Sequence, residues 1–107
     1  MTKEELVSLG PKIQIAIAAG KAAADACTND GGSANCDRVV IPIPGLRAAS
    51  AAGLPGYVQK KSVWHQQGIH LDTPWPGMGN QHSAGVEAMH ESLKAQGVGC
   101  YVYYQID

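Results

Sequence analysis

Four histidines, His65, His70, His82 and His90, are the side chains of this sequence best suited to proton transfer or metal ligation near neutral pH. In Ile69-His70-Leu71-Asp72 apolar and polar residues alternate, which is the period of a β-strand. His70 and Asp72 then share one face, while Ile69 and Leu71 turn to the core. His82 follows a short loop later, at the start of a helix, where it can meet them. Two imidazoles and a carboxylate are the parts of an acid/base pair with an orienting group, or of a metal site. Their spacing fits no metal-binding motif, so no metal is expected. Ser83 beside His82 lacks the G-x-S-x-G elbow that would expose a nucleophile. A small hydrolase or lyase using His70, Asp72 and His82 is therefore the alternative reading.

The loop between these histidines, Thr73-Pro74-Trp75-Pro76-Gly77-Met78-Gly79-Asn80, suits binding better than catalysis. It runs into a helix N-terminus, where unpaired amides and the positive end of the dipole attract anions. Gly77 and Gly79 allow close backbone approach. It is not a P-loop, because the Gly-Lys-Ser/Thr signature is missing, nor a dinucleotide fingerprint, because position 82 is histidine. Trp75, Gly77, Gly79, Asn80, His82 and Ser83 form the candidate contact region, with a protein partner or a small anionic ligand as occupant.

Aromatic residues give a third signal. On an alternating terminal strand Tyr101 and Tyr103 share one face, and Val102, Tyr104 and Ile106 the other. At least one tyrosine must stay half exposed, as tyrosines at protein interfaces often are. Stacking on RNA bases would want lysine or arginine nearby, and this strand has neither.

The 107 residues, 45% of them apolar and 16% charged, suit one domain. A formal net charge of −1 argues against general nucleic-acid affinity. No apolar run approaches the roughly 20 residues of a membrane span. Met1-Thr2-Lys3-Glu4-Glu5 carries acids where a secretory leader carries bases, so a cytoplasmic location is expected. Cys27, Cys36 and Cys100 are odd in number and fit no zinc or redox motif, although a Cys27–Cys36 bridge is possible under oxidising conditions. Abundant alanine and no phenylalanine make a modest core, which a homo-oligomer would reinforce.

These residues need elements to position them. Thr2-x-x-Glu5 reads as a helix-capping box, and Gly10-Pro11 as an interruption before a longer helix over 12–27. There Ile13, Ile15 and Ile17 alternate as in a strand, but Ile13, Ile17, Gly20, Ala24 and Cys27 keep helical spacing over a greater length. A strand over 38–44 contains Pro42 and Pro44, which push it toward a sheet edge. A short helix over 46–52 precedes strands over 57–64 and 68–73, read as a hairpin. Asn80 or Ser83 caps a helix with Val86, Met89 and Leu93 inward and Glu87, His90, Glu91 and Lys94 outward; Gly97 closes it. A last strand occupies 101–106. The predicted class is α+β: a small mixed or antiparallel sheet of about four strands with two or three helices packed on it.

The ending Leu93-Lys94-Ala95-Gln96-Gly97-Val98 to Tyr101-Val102-Tyr103-Tyr104 resembles small proteins of phages and prophages. The resemblance carries over no functional residue; it implies an accessory protein that binds and blocks a component in the host cytoplasm. The expected function is thus non-catalytic binding without a cofactor. A third reading is a homo-oligomeric structural or assembly subunit whose small-residue helices pack against copies of themselves.

Overall fold

The Thr2 hydroxyl accepts from the Glu5 amide at 3.1 Å, and the Glu5 carboxylate accepts from the Thr2 amide at 3.3 Å. This capping box starts helix α1 (Lys3–Val7) where the sequence predicts. A computed structural model describes residues 2–28, 31, 37–46, 51, 53–62, 66–75 and 79–104. After α1 come α2 (Leu9–Ala26), β1 (Arg38–Pro42), β2 (Gly56–Gln59), β3 (Gly68–Leu71), α3 (Asn80–Ala95) and β4 (Tyr101–Tyr103). The break between the first two helices falls at Ser8 and not at Gly10-Pro11. Pro11 lies in the first turn of α2, where its missing N–H has no helical partner to lose.

Helical spacing prevails in α2: Ile13 is fully buried while Ile15 is 57% exposed. Ala16, Gly20 and Ala24 form a buried small-residue stripe, and α3 packs on it within the same chain. The Gln81 amide donates to the Ala24 carbonyl at 3.0 Å, and Gln96 donates to the Lys12 carbonyl at 3.0 Å. Each glutamine serves one end of the antiparallel pair. Trp75 fills the crossing. A methyl group on Gly20 would stand 2.7 Å from its ring, and one on Gly85 would stand 2.4 Å from it. Gly97 closes α3 with φ +80°, its amide bonded to Lys94 and that of Val98 to Leu93, the two bonds of a Schellman turn.

The sheet is antiparallel throughout, in the order β2-β3-β1-β4. The α+β class is as predicted, with three helices and four strands among the described residues. The β3–α3–β4 crossover spans β1, a split βαβ unit. Strand β1 is therefore interior, against the edge position its prolines predicted. Pro42 sits at its last position opposite Gly68, and Pro44 lies beyond the ladder, so neither interrupts pairing. β2 and β3 pair as the expected hairpin partners, although β2 ends at Gln59. Most of the helix predicted over 46–52, and residues 105–106 of the last strand, lie outside the described residues.

Strand alternation divides the sheet into two faces. Val39, Ile41, Ile69 and Leu71 join Leu9, Ile13, Val86, Met89 and Leu93 in the apolar core beneath the helices. On the opposite face, strand register aligns Tyr57, His70, Val40 and Tyr101 in one row across all four strands. Arg38 and Tyr103 form a pair in the next row. No helix among the described residues is long and apolar enough to cross a membrane.

Candidate functional site

The face turned away from the helices is built around His70. Its position on β3, between β2 and β1, makes it an interior side chain of that face, and it is 0% exposed. Tyr57, directly opposite on β2, stacks on it with ring centroids 5.2 Å apart and planes at 22°. Tyr103 approaches at 6.0 Å in a tilted arrangement. Arg38 reaches diagonally from β1 and donates from Nε to His70 Nδ1 at 2.6 Å. Its guanidinium also lies 4.7 Å from the centre of the Tyr103 ring and 6.0 Å from that of Tyr57. Because Nδ1 accepts, the imidazole is the neutral tautomer with its hydrogen on Nε2.

Beside this cluster is a cleft of about 310 Å³ lined by Asp37, Arg38, Tyr57, Leu71, Asp72, Thr73 and His82. Asp72 and His82 thus share a cleft, whereas His70 lies beneath the Arg38 and Tyr57 side chains that form part of its wall. His82 is buried, with Nε2 2.8 Å from the Asp37 main-chain carbonyl. A carbonyl only accepts, so the ring donates from Nε2. Both predicted acid/base histidines are therefore engaged in bonds that hold the fold. No group of three His, Cys, Asp or Glu side chains among the described residues can hold a metal ion.

The predicted contact loop divides. Trp75 is only 6% exposed, taken up by the crossing of α2 and α3. Gly77 lies outside the described residues. Gly79 is the N-cap of α3, with φ 63° and no side-chain cap, in place of the predicted Asn80 or Ser83. That left-handed conformation suits glycine and strains either candidate cap. Asn80 is the first helical residue, and its amide donates to the Gly31 carbonyl at 2.8 Å. One of the amides considered for anion binding is thus committed within the chain. Ser83 lies in the first turn of α3, its amide bonded to the Gly79 carbonyl.

Arg38, Tyr57 and Asp37 were not singled out by the sequence reading. The cation that Tyr103 lacks on its own strand comes from the cross-strand position, Arg38. Alternation in Arg38-Val39-Val40-Ile41 places Arg38 away from the core, but its neighbours follow only from the strand order. Burial pushes the Tyr101 phenol above its ordinary pKa, nearby Tyr103 adds to this, and Arg38 opposes it. A second groove of about 590 Å³ lies between α3 and β4, lined by Glu87, His90, Glu91, Lys94, Cys100 and Tyr104 among others. There burial pushes the Cys100 thiol up, Lys94 pulls it down and Glu91 raises it.

The fold and site define an α+β chain with a split βαβ sheet, helices on one face and an arginine–tyrosine cluster on the other. No protein-family model matches the chain, and no curated protein or solved structure shows significant similarity to it.

Proposed function

We propose that this chain is a non-catalytic binding protein that takes a protein partner on the face of its sheet away from the helices. The observation that carries this reading is the cluster itself. Arg38 is set against Tyr103 and Tyr57, with Tyr57 51% exposed and Tyr101, Tyr103 and Arg38 half-buried. Tyrosine and arginine are, with tryptophan, the residues enriched at interface hot spots, and tyrosine offers a large contact area at low entropic cost.

Electrostatics favours a protein over a small anion. Asp37 and Asp72 line the cleft together with Arg38, so two carboxylates accompany one guanidinium. A polyanion meets the same opposition. A protein surface of mixed charge can match both signs. The engagement of His70 and His82 in structural bonds supports binding over acid/base catalysis. The reading includes action in the cytoplasm, supported by a cysteine content too low for a disulfide scaffold.

Native mass spectrometry of the chain, purified gently from its own cells, tests the proposal. The expected result is a complex whose added mass is a protein, either a second copy or a different chain. A bare monomer, or a monomer retaining only a small anion, would overturn it.

A further inference from the structure

His70 is an unusual residue for the middle of a packed sheet face, since aromatic or aliphatic side chains fill such a position without a titratable group. Here the imidazole is completely buried, stacked by Tyr57, approached by Tyr103, and bonded through Nδ1 to the Nε–H of Arg38 at 2.6 Å. Arg38 is the only cation among these contacts and keeps its charge at any physiological pH. The bond therefore requires an unprotonated Nδ1.

We propose that Arg38 and His70 form an acid-sensitive latch on this face. With His70 neutral, the latch holds the guanidinium over the Tyr103 ring. When Nδ1 takes a proton, it ceases to accept and becomes a donor facing a donor, and a second positive charge appears beside the first. Arg38 then leaves Nδ1 and its place over Tyr103. The surface displayed by the sheet changes as His70 takes its proton.

The ionisable groups around His70 act in definite directions. From β1, Arg38 opposes its protonation, and Asp37, one residue before the strand, favours it. From β2 and β4 come the phenols of Tyr57, Tyr101 and Tyr103. On its own strand end Asp72 favours protonation from the cleft, and from α3 His82 is committed to the Asp37 carbonyl. Arg38 is in direct contact with the ring, its Nε–H on Nδ1. The consequence for partner binding rests on the function proposed above, but the latch itself does not.

The test uses the whole chain, labelled with nitrogen-15 and free of any partner, titrated from about pH 8 to about pH 5. At the upper end His70 should show a bare Nδ1, and the Arg38 Nε–H should exchange slowly with water. As His70 takes its proton, that protection should fall roughly tenfold or more, the equivalent of one lost hydrogen bond to a charged group, with the same midpoint. The variant His70→Gln offers an acceptor that does not titrate, so its Arg38 Nε–H should stay protected throughout. Three results would overturn the latch: Nδ1 already protonated at the upper end, Arg38 unchanged while His70 titrates, or no protonation of His70 before the chain unfolds. Loss of protection in His70→Gln with the wild-type midpoint would do the same. If that variant does not fold, the wild-type titration alone decides. A complex seen at the upper pH by native mass spectrometry reports on the binding proposal separately, so the two can fail independently.

Discussion

The Nε–H of Arg38 crosses diagonally from β1 to β3 and meets Nδ1 of His70 at 2.6 Å, with Tyr57 stacked on the imidazole and Tyr103 against the guanidinium. Each group depends on the others for its place. The imidazole gives the arginine an acceptor, and the two rings hold both planes. This arrangement makes Arg38 a structural residue as well as a surface one.

Replacing Arg38 by alanine removes the donor from a fully buried ring nitrogen. We expect Arg38→Ala to lower the free energy of unfolding by about 1–3 kcal/mol in a urea titration. Arg38→Lys should recover little, because an ammonium lacks the planar fork that stacks on tyrosine. Full recovery by lysine would contradict the geometry described.

The helix crossing predicts a contrast between two glycines. A methyl group on Gly85 would meet the Trp75 ring at 2.4 Å, so Gly85→Ala should cost about 1–3 kcal/mol through overpacking. Gly97 has open space around it but φ +80°, so Gly97→Ala should cost only about 1 kcal/mol, from backbone strain. In the double variant Trp75→Ala, Gly85→Ala, the added methyl should do less harm than in the wild type. Equal harm in both backgrounds, read from denaturation midpoints, would remove Trp75 as the cause.

His82 is expected to behave as a structural donor. His82→Ala leaves the Asp37 carbonyl without its partner at 2.8 Å and should cost about 1–3 kcal/mol. Calorimetric unfolding of the variant checks this, and an unchanged transition would return His82 to the list of candidate catalytic groups.

Tyr101 gives the alkaline limit its sign. Burial, with Tyr103 next, raises its pKa in the fold, against the pull of Arg38. Above the ordinary phenol value of about 10 the unfolded chain releases a proton that the folded chain retains. Stability from this group is therefore complete below about pH 10 and declines as pH rises beyond it. Tyr101→Phe should flatten that part of the stability profile; an unchanged slope would assign the effect elsewhere.

Elements with a local cause were legible in the sequence. The Thr2–Glu5 box, the Gly97 turn and the inward stripe Val86, Met89, Leu93 depend on residues within a few positions of one another. Strand order was not legible, because β1 meets β3 and β4 only through contacts distant in sequence. The site follows the same division. Alternation correctly separated Tyr101 and Tyr103 from Val102, and His70 from Ile69, yet nothing local reveals that Arg38 completes the cluster. Trp75 shows the reverse. Its proline-rich loop suggests a surface contact, but the two glycines that receive its ring, Gly20 and Gly85, lie on different helices.

The central claim is that the sheet face, and not the loop before α3, carries the contact. Its most direct test is the complex retained in native mass spectrometry, compared between two folded double variants. Tyr57→Ala with Tyr103→Ala alters the face; Asn80→Ala with Ser83→Ala alters the loop end. The account predicts that the first variant loses the bound protein and the second keeps it. Retention by the first and loss by the second would contradict the account and return the function to the loop.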